Sequence, residues 1–444
     1  MAQKLELHRF ARDSLYNLIR QGWSIVFALA ISILLARGLG KEARGQYTLI
    51  ILLPELLLTF TSLGIAPATI YFVGHGDFSI TRVIKNNTFL SITLSIVSST
   101  IGIILIFIAS DHLFPNVSRW YLLLSLLSIP ISLLLTSLIS IFQGLQDFKS
   151  FNLIGMASQL LFLVLILIMV WWQNGQLLGA LTAYITTNFL TLMLVLGLLW
   201  VRYHPSIDLS QILDQRYFRH LFSYGALAHL ANIFSFLNYR IDNLILNTLA
   251  GSGQVGIYSV AVGMGERFWI PATAISSVLL PRIASLEGQE DTRKLITPIM
   301  SRLVFWLSLA MAIIIWPLIS WIISLLYSTE FQEAAIPFRL LLPGIVFLNT
   351  TKILSNDIAG RGKPHINVYQ SAIALSFNIV ANIILIPKLG ASGAALSSTI
   401  SYSILAILTI FAYRRITNIP WQELIFLQRV DVLRMKSIVT RAFS

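Results

Sequence analysis

The segment Asn238–Pro281 reads NYRIDNLILNTLAGSGQVGIYSVAVGMGERFWIPATAISSVLLP, which predicts two long apolar helices joined by a Gly-Ser-Gly turn. Four charged residues fall near the middle of these helices: Arg240, Asp242, Glu266 and Arg267. An ionisable side chain at mid-bilayer costs about 2.5–3.5 kcal/mol even on the lenient insertion scale, so it usually faces a bundle interior or a water-filled path. The segment therefore predicts helices that line the working cavity of a transporter.

The composition of the whole chain indicates a membrane protein. Hydrophobic residues make up 56% and charged residues 11% of the 444 residues, and the mean hydropathy is +0.78. Such a chain is far more apolar than a soluble globular domain. With about 20 residues per span, short connections leave no room for a separate catalytic domain. The absence of Cys excludes disulfides and thiolate chemistry.

Hydropathy predicts an all-α polytopic membrane protein with about twelve transmembrane helices and no strands. We expect the first apolar run to be retained as a span rather than removed as a signal peptide, because no small-residue cleavage site follows it. The predicted spans are residues 15–36, 46–73, 86–109, 119–142, 151–172, 179–201, 220–249, 256–281, 298–325, 336–358, 367–387 and 392–413.

The distribution of Lys and Arg predicts the orientation of these spans. If the amino terminus is cytoplasmic, 22 of the 31 basic residues fall in cytoplasmic segments and six in outer segments. The remaining three, Arg240, Arg267 and Lys352, lie within spans. Because cytoplasmic loops carry an excess of positive charge, this bias places both termini in the cytoplasm.

Three pairs of similar motifs indicate an internal repeat. The run that ends at Gly40 and continues into Gly45-Gln46-Tyr47 resembles the run through Gly251 into Gly256-Ile257-Tyr258, and the same offset of 211 residues pairs Glu55 with Glu266. Two further anchors lie at offsets of 214 to 216: Gln143-Gly144 together with Asn152 resembles Ala359-Gly360 together with Asn367, and Gly179-Ala180-Leu181 resembles Gly393-Ala394-Ala395. Because six spans separate each pair, we expect two parallel six-helix repeats with a cavity between them.

The repeat and the polar segments predict the domain boundaries. The polar residues from Trp200 to Phe218 link the halves, so the expected domains are 1–214, 215–416 and a tail at 417–444. The tail mixes apolar residues with Arg429, Arg434 and Lys436. It fits a basic amphipathic helix on the anionic inner leaflet, and a solvated tail is the alternative.

Several motifs together resemble one transporter family. They are LLARGLGKEARGQYTLI (Leu34–Ile50), the first 35 residues of the segment quoted above, PRIA (Pro281–Ala284), AGRGKPHIN (Ala359–Asn367) and LGASGAALSSTISY (Leu389–Tyr402). The chain resembles the polysaccharide-exporter branch of the multidrug/oligosaccharidyl-lipid/polysaccharide (MOP) exporter superfamily. This resemblance implies two six-helix bundles arranged in a V around a solvated cavity. It also implies alternating access that carries a polyprenyl-diphosphate-linked oligosaccharide, such as an O-antigen or exopolysaccharide unit, from the cytoplasmic to the periplasmic face.

Cations within the spans are candidate ligands for the diphosphate of such a substrate. Arg offers a planar fork suited to phosphate oxygens, and the candidates are Arg240, Arg267 and Lys352. Arg240 and Asp242 lie about 200° apart on a helix, so they cannot pair with each other. We expect Asp242 to pair with Arg267, which leaves Arg240 and Lys352 to face the substrate.

Amide side chains form two candidate stripes for sugar hydroxyls. Asn349, Lys352 and Asn356 share one helix face, and Asn378 and Asn382 lie on one face of the next span. Polar stripes in membrane bundles also join neighbouring helices through hydrogen bonds, so both interpretations stand. Likewise, Glu55 and Glu266 are either proton or cation sites, since burial raises the pKa of a carboxyl group, or partners that neutralise a nearby Arg.

Three alternatives to the polysaccharide flippase remain. A cation-coupled multidrug exporter of the same superfamily is disfavoured because its substrates are often cationic, and a peptidoglycan-precursor lipid flippase is a close relative. A membrane enzyme such as a polysaccharide polymerase should carry a large extracytoplasmic loop, whereas the predicted outer loops are short, so we expect no enzyme activity.

The same reasoning sets expectations for partners and location. We expect no cofactor, metal or nucleic acid, and no G-x-x-x-x-G-K-[ST] motif for ATP occurs. The expected partners are the lipid-linked glycan, the bilayer and polysaccharide polymerase or assembly proteins. We expect a monomer in the inner (cytoplasmic) membrane.

Overall fold

Apolar runs broken by Gly, Pro and Asn turns fold into helices throughout the computed structural model. In a bilayer a helix satisfies its own backbone polar groups, which explains why this composition forms helices. The structure describes residues 2–203, 215–285, 290–426 and 428, and these contain no strand. The elements are α1 (Ala2–Thr61), α2 (Ile65–His75), α3 (Ile80–Leu113), α4 (Arg119–Ser125), α5 (Ser128–Gly144), α6 (Phe148–Ile166) with a π-helical turn (Leu167–Trp172), α7 (Gln176–Tyr203), α8 (Gln215–Ala250), α9 (Ser252–Gly265) with a 3₁₀ turn (Glu266–Trp269), α10 (Ile270–Ser285), α11 (Glu290–Tyr327), a 3₁₀ turn (Thr329–Ala334), α12 (Ala335–Gly360), α13 (Pro364–Leu389), α14 (Ala391–Thr417) and α15 (Gln422–Ile425).

The predicted all-helical membrane fold is confirmed. Nine helices in the described part of the chain are long and apolar enough to cross a membrane. The helices of Gln215–Ser285 are not among the nine. Here α9 and α10 are only 14 and 16 residues long, because a 3₁₀ turn separates them, and α8 carries Arg240 and Asp242. The nine also count α1 from Gly22 to Thr61 as one helix, although it includes most of the first predicted span (15–36) and more than half of the second (46–73), which continues into α2.

The chain divides into two compact units. Unit 1 comprises Met1–Ile233 and Leu246–Ser259, and unit 2 comprises Phe234–Ile245 and Val260–Ser444. This division differs from the predicted halves, because the end of α8 and most of α9 group with unit 1. The predicted boundary at Asp214 lies outside the described residues and stays a prediction. Most of the predicted amphipathic tail also lies outside them.

Unit 1 has an apolar core in which a few polar side chains are hydrogen bonded. The buried core includes Phe72, Phe142 and Leu138. Tyr217 Oη donates to Asn87 Oδ1 at 2.6 Å, and Asn87 Nδ2 donates to Thr69 Oγ1 at 2.9 Å. Since few groups in hydrocarbon can replace water as a partner, these bonds satisfy buried polar groups and join α2, α3 and α8.

The first repeat anchor forms the same turn at both of its positions. Gly40 divides α1 with φ 73°, and Gly251, 211 residues later, separates α8 from α9 with φ 87°. Glycine adopts positive φ at little cost, which explains why the turn can form at both sites. Within unit 1, an added Cβ on Gly45 would overlap the Ser252 carbonyl oxygen, and one on Gly256 would overlap that of Lys41. The equivalent glycines therefore bring α1 and α9 into backbone contact, which explains why the start of α9 groups with unit 1.

The other two anchors also coincide with equivalent turns. Gln146 follows α5 with φ 56°, and Gly362 follows α12 with φ 75°, 216 residues later. An added Cβ on Gly179 would lie 2.5 Å from the Met169 carbonyl oxygen, and one on Gly393 would lie 2.5 Å from that of Leu385. Both glycines let the chain fold back tightly between consecutive helices. These local structures support the internal repeat that the motifs predict.

Candidate functional site

Charged and aromatic side chains meet in unit 2 at the middle of α8. We call the group a cationic-aromatic cluster and define it by its members: Tyr239, Arg240, Glu266, Trp269, Lys352 and Tyr402. Four elements contribute, namely α8, the 3₁₀ turn after α9, α12 and α14. A 3₁₀ turn inside a helix often marks a functional hinge, and here it carries Glu266, Arg267 and Trp269.

Arg240 forms an ion pair with Glu266. Arg240 Nη1 lies 2.8 Å from Glu266 Oε1, and the two side chains are 31% and 20% exposed. This pair was not the one that we expected for Arg240, because the 3₁₀ turn has 3.0 residues per turn rather than 3.6, so the positions of Glu266 and Arg267 depart from an α-helical projection. The pairing of Asp242 with Arg267 and the role of Arg240 toward a substrate stay predictions.

Asp242 contributes to hydrogen bonds that fasten α8 to α14. It is fully buried and accepts from Ser398 Oγ at 2.9 Å and from the backbone N–H of Asn243 at 3.1 Å. One turn earlier on α8, Asn238 Oδ1 accepts from Ser401 Oγ at 2.7 Å. This polar seam explains the charge at residue 242, and the sequence analysis did not identify Ser398 or Ser401.

Lys352 lies against aromatic rings. Its Nζ is 4.2 Å from the ring centroid of Trp269 and 5.9 Å from that of Tyr239. Within the described ranges, Lys352 forms no ion pair. Cation–π contacts contribute about 0.5–2 kcal/mol, more where water is excluded. Lys352 thus lies on α12 beside aromatic faces, without a carboxylate within ion-pair distance among the described residues.

The aromatic members of the cluster contact one another. The ring centroids of Tyr239 and Trp269 are 5.1 Å apart, and those of Tyr239 and Tyr402 are 5.8 Å apart. The sequence analysis missed these three residues. Trp269 lies two residues after Arg267, and Tyr239 lies directly before Arg240. An aromatic residue close to a charge in the middle of a predicted span was therefore the signal in the sequence that could have identified them.

Arg267 retains unused hydrogen-bonding capacity. It is half-buried, and its Nε is buried without a hydrogen-bond partner among the residues that the structure describes. An Arg carries five N–H donors. A donor without a partner on an Arg of the 3₁₀ turn can be satisfied by an oxyanion.

The predicted asparagine stripes lie in the packing between or along helices. Asn349 donates to the Phe268 carbonyl oxygen and to Ser308 Oγ, both at 2.8 Å, while Asn356 donates to the carbonyl of Lys352 on its own helix. Asn382 Nδ2 donates to Asn378 Oδ1 at 2.8 Å. Because Asn349, Asn378 and Asn382 are fully buried, they do not face accessible space in this conformation. Asn349 thus fits the alternative in which an amide joins helices, whereas the bonds of Asn356, Asn378 and Asn382 lie within their own helices, and sugar binding by these amides stays a prediction.

Glu55 lies in unit 1, half-buried in α1. Its charge acts on the nearby hydroxyl groups of Tyr47 and Tyr184. Its repeat equivalent, Glu266, pairs with Arg240 in unit 2. The ion pair fits the interpretation of Glu266 as a partner that neutralises an Arg, and the coupling roles of Glu266 and Glu55 stay predictions.

Comparison with known proteins identifies the family. The model of the family described as polysaccharide biosynthesis protein matches residues 10–287, and the MatE model matches residues 228–384. A putative O-antigen transporter of Shigella flexneri is 24% identical over 425 residues, which cover 92% of this chain and 98% of that relative.

Solved structures of transporters share the fold. An inward-facing multidrug resistance MATE family transporter of the MOP superfamily aligns with a TM-score of 0.73 at 16% identity, covering 91% of this chain and 98% of that chain. The lipid II flippase MurJ, in an inward closed conformation, aligns with a TM-score of 0.71 at 13% identity, covering 93% and 89%. Because the first family model covers more than half of the sequence, the protein belongs to the polysaccharide biosynthesis protein family, and it is a multi-pass membrane protein that shares the fold of these transporters.

Proposed function

We propose that this protein is a flippase that moves a polyprenyl-diphosphate-linked oligosaccharide, such as an O-antigen or exopolysaccharide unit, from the cytoplasmic to the periplasmic leaflet by alternating access. The family and the O-antigen transporter of Shigella flexneri support the glycan. The fold shared with a lipid II flippase supports a lipid-linked substrate. We place the protein in the inner membrane with both termini in the cytoplasm.

The observation that carries the proposal is the position of Lys352 against Trp269 and Tyr239. A diphosphate needs cationic donors, and Lys352 together with the unsatisfied Arg267 supplies them. Aromatic faces offer stacking surfaces to the apolar faces of sugar rings, so a ligand that draws Lys352 away would expose the rings for its glycan. The Arg240–Glu266 pair neutralises one of the positive charges in this region, which lowers the energy of holding that Arg in the membrane and leaves Lys352 and Arg267 for the anion.

The test replaces Lys352 and Arg267 singly with Ala and with the other base, in a host that lacks its own flippase. Surface polysaccharide, lipid-linked precursor and the amount of protein in the membrane are measured together. We expect the Ala variants to lose surface glycan and accumulate precursor at normal expression, and the Lys/Arg exchanges to retain export. Arg339→Ala is the matched control, because Arg339 donates to the Trp316 carbonyl oxygen and Ser320 Oγ, away from the cluster. Normal export by both Ala variants would contradict the proposal.

A multidrug exporter is the second candidate. The MatE model covers Lys352 and the whole 3₁₀ turn, and a MATE transporter shares the fold. This function predicts that expression of the protein raises resistance to cationic drugs, and that Glu266→Gln abolishes the resistance. A lipid II type of precursor remains the third candidate, and complementation of a strain depleted of its peptidoglycan-precursor flippase distinguishes it from glycan export.

A further inference from the structure

An apolar groove lies in unit 2 between α12, α14 and α15. Its cavity volume is about 330 Å³. Phe411 and Ile407 on α14 and Trp421 beside α15 are exposed along it, so the groove opens on the lipid-facing side of α14. The residues that define it here are Phe347, Ile407, Phe411, Arg414, Trp421 and Ile425.

Side chains of α11 hold one wall of the groove in place. The last carbonyl oxygens of a helix have no partner within the helix, and in α15 three of them accept hydrogen bonds from α11. Arg302 Nη1 donates to Glu423, Ser301 Oγ donates to Leu424 at 3.0 Å, and Trp306 Nε1 donates to Ile425 at 2.9 Å. The Leu424 side chain is also fully buried in an apolar cluster that contains Tyr413. The wall is therefore built by specific contacts, although α15 has only four residues.

Among the described residues that line the groove, Arg414 is the single charged one. It lies in the last turn of α14, its side chain is exposed, and it makes no ion pair with the residues that the structure describes. Arg side chains near the end of a span extend their charge to the interface while their methylene groups stay in apolar surroundings. The groove thus combines an apolar slot with one cation at its end.

We propose that this groove binds an anionic phospholipid of the cytoplasmic leaflet, with one acyl chain in the slot and the phosphate at Arg414. Charge complementarity selects the anionic headgroup. The length also fits: Ser403 and Arg414 both line the groove, and eleven residues of helix rise about 16 Å, close to half of a hydrocarbon core of about 30 Å. This site is separate from the cationic-aromatic cluster and does not depend on the transported substrate.

The test uses the fluorescence of Trp421 in the full chain. The protein is reconstituted into phosphatidylcholine vesicles that contain a small fraction of dibrominated phosphatidylglycerol or of dibrominated phosphatidylcholine. The part of the quenching that wild type shows and Trp421→Phe does not show comes from Trp421, so this difference reports the lipid in the groove. We expect brominated phosphatidylglycerol to quench Trp421 about fivefold more effectively than brominated phosphatidylcholine at equal fraction. Arg414→Ala should remove this preference and Arg414→Lys should keep it.

Arg415→Ala is the matched control, because Arg415 is the exposed neighbour on the same turn but does not line the groove. Ser403→Phe fills the slot and should abolish quenching by both lipids. If Arg414→Ala and Arg415→Ala lose the preference for brominated phosphatidylglycerol equally, the preference comes from general surface charge rather than from a site, and the proposal is overturned. Equal quenching of wild type by the two lipids would overturn it too. Displacement of brominated phosphatidylglycerol by trace polyprenyl phosphate would assign the groove to the carrier lipid and overturn it as well.

Discussion

At the scale of single residues, buried polar side chains in this protein fall into two kinds. Asn378, Asn382 and Asp242 are fully buried and bind neighbouring residues inside the helix packing, whereas Lys352 and Arg267 are only half-buried and carry positive charge that can meet an anionic ligand. Sequence periodicity assigns all of them to helix faces but does not separate the two kinds, because a polar face can turn toward either a neighbouring helix or an open space.

Asn382→Ala should therefore lower stability without affecting transport directly. It removes the donor to Asn378, and hydrogen bonds between side chains in membrane bundles contribute about 0.6 kcal/mol on average and up to about 1.7. We expect a lower melting temperature of the purified protein and normal glycan export per folded molecule. Asn356→Ala is the control, because that amide is only half-buried and donates to a backbone carbonyl of its own helix rather than to a second buried amide, and the melting temperature of this variant should stay near wild type. Loss of export without loss of stability in Asn382→Ala would instead support sugar binding.

The Arg240–Glu266 pair makes a second prediction at this scale. Removing one partner leaves the other partly buried and unpaired, which costs more than removing both. Because the side chains are 31% and 20% exposed, solvent weakens the effect. We expect a favourable coupling on the order of 1 kcal/mol in a double-mutant cycle of Arg240→Ala and Glu266→Ala, measured by thermal unfolding. Additive effects of the two substitutions would argue against the pair.

At the scale of elements, glycine determines how closely two helices approach. Gly45 in α1 and Gly256 in α9 let the backbones touch. Gly256→Ala should destabilise the protein by about 1–3 kcal/mol, since the new methyl group overlaps a backbone carbonyl that cannot rotate away. Gly253→Ala is the matched control on the same helix, because nothing lies within 4 Å of its added Cβ. Gly253→Ala should raise the stability slightly, by up to about 1 kcal/mol. We therefore expect thermal unfolding to show a lower melting temperature for Gly256→Ala and a slightly higher one for Gly253→Ala.

Two carboxylates at the ends of elements make stability depend on pH. Glu290, before the apolar part of α11, accepts from Arg361 at 2.6 Å and Arg293 at 3.0 Å, and the hydrogen bond from Arg361 is the main reason that its pKa lies below the ordinary value. Burial alone would raise the pKa of Asp147, at the start of α6, but hydrogen bonds from Ser150 and Arg202 together lower it by more.

Both carboxyl groups have a lower pKa in the folded than in the unfolded protein. The charged carboxylates therefore stabilise the fold fully when the pH is above the pKa of the unfolded protein, and this contribution is lost as the pH falls through the pKa of the folded protein. We expect the melting temperature to fall below about pH 4.5, the ordinary value for Glu290. The double variant Glu290→Gln/Asp147→Asn should have a lower melting temperature than wild type at pH 7. Its melting temperature should then fall less than that of wild type as the pH is lowered. Glu423→Gln, at an exposed position, should follow wild type, and an unchanged slope in the double variant would contradict this account.

At the scale of the whole molecule, the positive charge distribution predicts the topology. The chain has no Cys, so single cysteines report their own location. Gln173→Cys, after α6, should react with a membrane-impermeant maleimide in intact cells. Lys363→Cys, before α13, should react only after permeabilisation. Both side chains are exposed, so a difference in labelling reflects the side of the membrane, and the reverse pattern would invert the proposed orientation.

The sequence by itself determined the fold class, the twelve apolar segments and the repeat of the Gly40 and Gly251 turns. Helix formation in a bilayer follows from local composition and internal hydrogen bonding, and a turn with positive φ follows from a local Gly, so both are encoded within short windows of residues. Tertiary structure alone decided that Arg240 pairs with Glu266, that Lys352 lies on Trp269 and Tyr239, and that the asparagines are buried. Those contacts join residues 26 to 113 positions apart, and they depend on the 3₁₀ turn at Glu266–Trp269 and on helix rotation, which the spacing of residues along one helix does not specify.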